Sequence, residues 1–467
     1  MPVVKTWQLA AGAAVMGLAV AAGAVAVAGP WDSGQRKAEK EWAAARSTAG
    51  GEDHRRSDAR GPAPAPSAAG VLAAIGADRS SAAPVDGKAV AGLGKELGAL
   101  LRDPGLGPLR TASVVDVSTG RQLYGQGAAN PMTPASTIKI ATAVAALTAL
   151  GPDHRIPTTA VLSADARELT LVGGGDASLD RTALGTLADR TADVLRERSA
   201  TAVRLTYDTS LYRGKVRHRI GENGNLAPVT ALMVDQGRKD PTATGDSDRV
   251  ADPAGAAARS FEQLLEARGI SVITKPAATR APRSAKPIAR VVSVPLSALV
   301  ERMLTESDND LAEALARQTA IASRQEASFA GAGRAVQQRL VGLGLPLKGA
   351  RFTDGSGLDR GARLSARLLT SLLTRAADPT KPELRPVLTG LPVAGFSGTL
   401  ESRYSDASPA TGLVRAKTGT LTGVSSLSGT VVSPDGRLLA FAFLAGKTPS
   451  RDEAQPALDR LAAALVA

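Results

Sequence analysis

The stretch NPMTPASTIKIATAVAAL, residues 130–147, places a serine and a lysine three positions apart at the head of an apolar run. The apolar run continues to Leu150, just before Gly151 and Pro152, and predicts a long helix. An ammonium group on the buried face of a helix is costly unless it is paired or has lost its proton. Either Lys139 extends to solvent and Ser136 only starts the helix, or Lys139 removes a proton from Ser136.

The start of this helix explains why the second interpretation is chemically reasonable. Thr133 is predicted to cap the helix, with Pro134 at the first helical position and Ser136 in the first turn. Backbone N–H groups there lack helical partners, so the Ser136 N–H can stabilise an oxyanion while the hydroxyl attacks. Lys139 lies one turn further along the same face, where burial and a second cation would lower its pKa. In this interpretation Ser136 is the nucleophile and Lys139 its general base, but the pair taken alone fits both interpretations.

Two more short motifs follow STIK, and each occurs once in the chain: SDN at 307–309 and KTG at 417–419. Ser307 offers a hydroxyl that relays a proton toward the leaving amine, and Asn309 an amide that binds the substrate backbone. Taken alone, SDN also fits a helix cap. In this order, the three motifs are the signature of active-site-serine enzymes that recognise penicillin.

The KTG motif lies in a β-rich stretch, where a lone lysine also fits a solvated charge. In the context of the other motifs, Lys417 and Thr418 are expected to hold a substrate carboxylate. Gly419 would let the substrate approach the strand closely, and the N–H of Thr420 would be the second oxyanion donor.

Composition excludes several other chemistries. The chain of 467 residues has no cysteine, which excludes thiol catalysis, disulfides and cysteine metal sites. None of its three histidines stands beside a recognisable serine motif, so a Ser-His-Asp triad is not expected. The formal charge of +12 suits an anionic neighbour such as a membrane surface or a wall polymer. Nucleic acid is not expected as a partner, because aromatic residues make up only 3% and no basic-aromatic stripe occurs.

The first 88 residues differ in composition from the rest of the chain. Residues 1–28 are predicted to be a signal peptide or an N-terminal anchor, because residues 9–29 form an apolar run long enough to span a bilayer. Residues 29–88 are rich in small, polar and proline residues and predict a flexible linker, with a possible short helix at QRKAEKEWAAAR. We therefore expect an exported, extracytoplasmic protein that is secreted or anchored at the cell wall.

The folded part is predicted to begin near Ala89. TASVVDVSTGRQLYGQG predicts a hairpin, and the last fifty residues predict three strands and a closing helix. Both ends would then build one antiparallel sheet covered by helices, a mixed α/β fold formed by residues 89–152 and 296–467. Residues 153–295 have a different composition and are interpreted as an inserted domain.

The chain resembles the exported D-alanyl-D-alanine carboxypeptidase/endopeptidases, the S13 class C low-molecular-weight penicillin-binding proteins. The resemblance rests on the three motifs and on LTLVGGGDASL, APVTALMVDQG, TDGSGLDRGARLS and LPVAGFSGTL. It implies the DD-peptidase/serine β-lactamase-like fold with a domain inserted between the first two motifs, and no metal or cofactor. It also implies peptidoglycan stem peptides as substrates and β-lactams as inhibitors. The insert is short for this family. We interpret TDGSGL as a structural loop near the cleft.

Two other functions fit parts of the pattern. A β-lactamase or a related esterase shares the fold and the motifs, but class A β-lactamases deacylate with a glutamate four residues before an asparagine. No asparagine of this chain has a glutamate at that position. A non-catalytic wall-binding scaffold would be expected to have lost a motif residue, and none is lost.

Overall fold

The computed structural model describes residues 87–221, 223–243, 245–404 and 408–466. The predicted leader, anchor and short linker helix lie outside these residues. The first described helix begins at Gly87, two residues before the predicted start of the fold. The helices are α1 (Gly87–Leu100), α2 (Ile138–Leu150), α3 (Arg181–Glu197), α4 (Pro253–Glu266), α5 (Leu296–Thr305), α6 (Asn309–Ala322), α7 (Phe329–Gly342), α8 (Ala366–Ala376), α9 (Pro386–Thr389) and α10 (Arg451–Ala463).

One sheet is built from both ends of the folded part, as the sequence predicts. Its strands are β1 (Leu109–Asp116), β2 (Gln122–Gln126), β9 (Arg415–Leu421), β10 (Val424–Val432) and β11 (Leu438–Gly446). All pair antiparallel in the order β2-β1-β11-β10-β9. The predicted hairpin and the three C-terminal strands are therefore confirmed. The KTG strand, β9, lies at the edge of this sheet.

Strand β11, with the sequence LLAFAFLAG, shows how the sheet lies between two layers of helices. Because successive side chains of a strand point to opposite faces, the side chains of β11 can pack into two different cores. Ala440, Ala442 and Leu444 pack with helices α2 and α8. Phe441 and Phe443 pack with α1 and α10 on the other face. This explains why the strand is apolar at nearly every position.

Helix α2 is buried on all sides, which explains its continuous apolar sequence. Every residue from Ile138 to Leu147 is buried, including Lys139, and the helix ends before Gly151 at a φ of 81°. A helix that is apolar all round belongs in the middle of a core. Because the core encloses α2, the first turn of this helix has a fixed position under the edge of the sheet.

A second sheet lies, in sequence, between the first two motifs. Its strands are β3 (Pro157–Leu162), β4 (Glu168–Gly173), β5 (Ala202–Asp208), β6 (Ser271–Val272), β7 (Ala277–Ala278) and β8 (Lys286–Val292). The order is β6-β5-β4-β3-β8, and β7 also pairs with β5. Helices α3 and α4 pack on it around a core of their own. The described residues nevertheless belong to one compact unit, and the bounds proposed for an inserted domain stay a prediction.

The segment between β5 and α4, residues 209–252, is called the arm below. Its described residues form only a short 3-10 turn, Asp235–Gly237, and isolated bridges. It runs from the second sheet to the start of α6, where the SDN motif lies. Among the described residues, no helix combines the length and the apolar character needed to cross a bilayer.

Candidate active site

Ser136 lies in a short 3-10 turn, Ala135–Thr137, directly before α2. The predicted cap is wrong: Thr133 makes no capping bond, and Pro134 stands at the N-cap position. The Thr133 hydroxyl instead donates to Arg360 O at 3.4 Å and accepts from Arg363 at 2.9 Å. The turn is held by Thr137, whose hydroxyl donates to the carbonyl of Pro134 at 2.7 Å.

Lys139 reaches the hydroxyl of Ser136 from within the core. Its side chain is 0% exposed, and Nζ lies 2.9 Å from Ser136 Oγ. The same nitrogen donates to Asn309 Oδ1 at 2.7 Å and to the carbonyl of Ser356 at 2.8 Å. Lys139 does not extend to solvent, and this excludes the simpler of the two interpretations of the helix start.

Burial decides the protonation behaviour of Lys139. Removal from water lowers its pKa to about 8, although nearby carboxylates, with Asp354 first among them, favour the charged form. A lysine with this pKa is neutral in about one molecule in ten at pH 7, far more often than a lysine with the usual pKa. Lys139 can therefore accept a proton from its neighbour.

The SDN motif lies in the loop between α5 and α6. Asp308, not Ser307, caps α6 by accepting from Leu311 N at 2.9 Å. Ser307 has a left-handed backbone with a φ of 57°, a conformation that costs free energy in residues other than glycine. The cap and the strained residue together turn Asn309 toward Lys139.

Lys417, Thr418, Gly419 and Thr420 lie on the edge strand β9. Lys417 is 0% exposed, and its Nζ donates to the carbonyl of Thr418 at 2.9 Å. Burial, and next the charge of Lys139, hold the pKa of Lys417 well below its usual value. The hydroxyl of Thr418 lies 2.8 Å from that of Thr399. Lys417 is thus enclosed beneath the strand, and the two threonine hydroxyls lie beside the cleft.

Gly419 is required by the close approach of β9 to the turn that holds Ser136. A Cβ at this position would lie 2.7 Å from the carbonyl oxygen of Pro134 and 3.0 Å from the amide nitrogen of Ser136. Both distances are shorter than normal contacts, so a side chain would push the strand away from the serine.

The predicted residues meet at one cleft of about 780 Å³. Its lining includes Ser136, Ser307, Asn309, Thr418 and Thr420. The two lysines and Gly419 lie behind these residues. All eight positions predicted from the three motifs are therefore brought together, although they are far apart in the sequence.

A model of the D-Ala-D-Ala carboxypeptidase 3 (S13) family matches this chain over residues 93–248 and 242–465. The chain belongs to this family. It is 38% identical over 392 residues to carboxypeptidase DacB of Mycolicibacterium smegmatis, covering 80% of this chain and 84% of that protein. It is 36% identical over 423 residues to carboxypeptidase Rv3627c of Mycobacterium tuberculosis, covering 86% and 90%.

A further relative agrees with membership of the S13 family, and a solved structure agrees with the fold. The D-alanyl-D-alanine carboxypeptidase of Actinomadura sp. (strain R39) is 30% identical over 434 residues, covering 74% of this chain and 79% of that protein. The crystal structure of penicillin binding protein 4 (dacB) from Haemophilus influenzae superposes with a TM-score of 0.68 at 21% identity, covering 78% of this chain and 98% of that chain. The resemblance and the mixed α/β fold class inferred from the sequence are thereby confirmed.

One group that contacts Lys139, the carbonyl of Ser356, lies outside the three motifs STIK, SDN and KTG. It belongs to the TDGSGL segment, for which the sequence predicts a structural loop near the cleft. Gly357 has a φ of +86° and leaves no room for a Cβ against the carbonyl of Ala135. The two glycines beside Ser356 were the available signal for a backbone that passes close to Ser136.

One buried cluster of the S13 chain has the residue types of a metal site. His218, Glu313 and Asp354 place possible ligand atoms within 4.8 Å of one another. These atoms already have protein partners: Glu313 accepts from the amides of Gly355 and Ser356, and Asp354 bonds His218 at 3.1 Å. The cluster is therefore a hydrogen-bond network that holds the loop around Ser356.

Proposed function

We propose that this protein is an exported serine-type D-Ala-D-Ala carboxypeptidase and endopeptidase that cleaves peptidoglycan stem peptides through an acyl-enzyme on Ser136. The observation that carries the proposal is the 2.9 Å contact between Ser136 Oγ and the buried Nζ of Lys139. A base with a pKa of about 8 beside a serine hydroxyl is the arrangement that activates an oxygen nucleophile.

In the first step, neutral Lys139 takes the proton of Ser136 as the oxygen attacks the carbonyl carbon of the penultimate D-Ala. The N–H groups of Ser136 and Thr420 stabilise the oxyanion, and Gly419 allows them to lie close together. When the C–N bond breaks, the proton passes from Lys139 to the leaving amine, and Ser307 serves as the relay. Water then attacks the ester, and Lys139 again accepts the proton.

Substrate binding is assigned to the edge strand and the SDN loop. The hydroxyls of Thr418 and Thr420 contact the terminal carboxylate, and Lys417, enclosed below them, contributes its charge. Asn309 uses Oδ1 for Lys139 and one N–H for the carbonyl of Asn225. Since an amide nitrogen carries two hydrogens, one remains for the peptide backbone of the substrate.

The two buried lysines repel each other when both are charged. An anionic substrate terminus beside Thr418 favours the charge on Lys417. Because that charge disfavours a second one on Lys139, substrate binding itself promotes the neutral, basic form of Lys139.

The extracytoplasmic location is supported by the apolar run at residues 9–29 and by the wall-derived substrate. β-Lactams are proposed as inhibitors, since a crystal structure of penicillin binding protein 4 (dacB) from Haemophilus influenzae contains a bound novel β-lactam. That structure superposes with a TM-score of 0.66.

The test is incubation of the purified protein with a D-Ala-D-Ala muropeptide and with a cross-linked muropeptide dimer, followed by mass analysis. Loss of one D-Ala from the monomer is expected, and conversion of the dimer to monomers reports the endopeptidase activity. Ser136→Ala should abolish both. Penicillin should add once per chain, at Ser136, and remain bound. Rapid turnover of penicillin with no cleavage of muropeptide would instead identify a β-lactamase.

A further inference from the structure

Lys139 has three partners, and they differ in what they can do. Asn309 Oδ1, at 2.7 Å, and the carbonyl of Ser356, at 2.8 Å, can only accept hydrogen bonds. Ser136 Oγ, at 2.9 Å, can also donate one. A neutral amine has two N–H bonds and one lone pair. The two carbonyl oxygens therefore take both N–H bonds, and the lone pair faces the hydroxyl of Ser136.

The first acceptor is held by the arm, residues 209–252. Asn309 donates its Nδ2 to the carbonyl of Asn225 at 3.0 Å. This bond sets the orientation of the amide, because a flipped amide would present its NH₂ group to Lys139. The neighbouring Asp310 accepts from the amide of Ala227 at 3.0 Å.

An ion pair fixes the arm against the SDN loop. Arg249 lies 3.1 Å from Asp310 Oδ2, and both side chains are nearly fully buried. Arg249 also donates to the carbonyl of Gln236 at 3.1 Å, and Gln236 donates its amide to Asp308 at 2.6 Å. Asp308, Asn309 and Asp310 are thus each bonded to the arm.

The second acceptor is held by the same arm through a different contact. Asp354 accepts from the hydroxyl of Ser356 and from the amide of Gly357, each at 3.1 Å. His218 of the arm lies 3.1 Å from the same carboxylate, and its ring packs edge-on against Phe329. His218 is therefore placed to hold the loop that presents the Ser356 carbonyl.

We propose that the arm is a positioning device for the general base: through Arg249 and His218 it holds the two carbonyl acceptors that orient the lone pair of Lys139 toward Ser136. The inference rests on the proposed role of Lys139 as the base. It assigns a function to the segment between the first two motifs. Arg249 and His218 are positioning residues, since each acts through another residue.

The test measures acylation of the purified full-length protein by a fluorescent penicillin, with the limiting acylation rate separated from the dissociation constant. Arg249→Gln and His218→Phe should each lower the limiting rate by about 10- to 100-fold, the scale for a misplaced catalytic group. The dissociation constant should change less than about threefold for His218→Phe, because His218 is buried and the residues that line the cleft remain. Arg249 itself lies in the lining of the cleft, so the limiting rate is the deciding measurement for Arg249→Gln. Arg249→Lys keeps the ion pair and should restore most of the rate.

Arg268→Gln is the matched control. Arg268 pairs with Asp189 and contacts α4, so the control breaks an ion pair of the second-sheet region away from the arm. It should leave both constants unchanged. If Arg249→Gln does not fold, Gln236→Ala is the alternative variant, since it removes the hydrogen bond from Gln236 to Asp308 and leaves the buried ion pair in place. This variant should still lower the limiting rate.

The outcomes separate the inference from the function on which it rests. If the wild-type protein forms no adduct on Ser136, the proposed function is wrong. If the wild-type protein is acylated and folded Arg249→Gln and His218→Phe react at the wild-type limiting rate, the positioning role of the arm is overturned. A change confined to the dissociation constant would overturn it as well.

Discussion

Lys139→Arg distinguishes a general base from a structural cation at the same position. Arginine keeps a positive charge and can donate to Asn309 and Ser356. A guanidinium stays protonated in proteins, so it cannot take the proton of Ser136. If Lys139 is the base, the variant should therefore lose acylation even though the charge remains.

The structure sets the expected size of the loss. Loss of general-base assistance lowers a rate by about 10²- to 10⁴-fold. The site adds a steric effect, because Lys139 is 0% exposed and its Nζ already has three neighbours at 2.7–2.9 Å. We expect Lys139→Arg to acylate at least about 10³-fold more slowly than the wild type. Lys139→Ala should be at least as slow, because it loses the base and the local charge together.

The assay is intact-mass analysis of the penicillin adduct over time, with peptide mapping to Ser136. Lys95→Arg is the matched control, since Lys95 is an exposed lysine on α1, and it should react at the wild-type rate. Thermal unfolding would verify that Lys139→Arg is folded. Acylation of folded Lys139→Arg at close to the wild-type rate would refute the reasoning, because Lys139 would then be a structural cation.

Three further predictions concern the same cleft. The acylation rate constant should rise by about tenfold per pH unit at low pH and level off above about pH 8. The reason is that the neutral form of Lys139 accumulates above its pKa of about 8. A rate profile that is flat from about pH 6 to pH 9 would contradict this prediction. Gly419→Ala places a Cβ 2.7 Å from the carbonyl of Pro134, and the added strain of about 1–3 kcal/mol should lower the rate of acylation by penicillin. The rate is compared with that of the wild type, and thermal unfolding of the variant verifies that it is folded. Lys417→Ala should lose about 2–4 kcal/mol of transition-state stabilisation, measured as kcat/KM on peptides with a free C-terminal carboxylate. Peptides with an amidated C-terminus should show a smaller loss, and equal losses on both would indicate that Lys417 acts on Lys139 or on the fold.

The motifs predicted which side chains meet at the cleft, because each proposed role needs a particular residue type. Lys139 is hydrogen-bonded to both Ser136 and Asn309 in the structure, although Asn309 lies 170 positions from Lys139. The sheet was also predictable, since β-rich stretches and turn residues mark the hairpin and the three C-terminal strands.

Contacts made by the backbone were not predictable in the same way. The carbonyls of Ser356 and Asn225 are present in every residue type, so no side chain identifies them as acceptors. Thr133 has the right residue type for a cap, yet tertiary contacts with Arg360 and Arg363 use its hydroxyl instead. At such positions, contacts with residues distant in the sequence override the local preference of a residue type for a helix cap.

The pairing of β1 with β11 has a consequence for how the chain acquires its fold. Asp116 pairs with Leu439, so β1 finds this partner only after more than three hundred further residues have been made. At typical synthesis rates of about 5–20 residues per second, this wait is on the order of tens of seconds. During that time the edge of β1 that later pairs with β11 has no partner, and the turn with Ser136 has no β9 against it. A chain that stops before β11 would thus lack the centre of its sheet and expose strand edges, so we expect C-terminal truncation to produce aggregation.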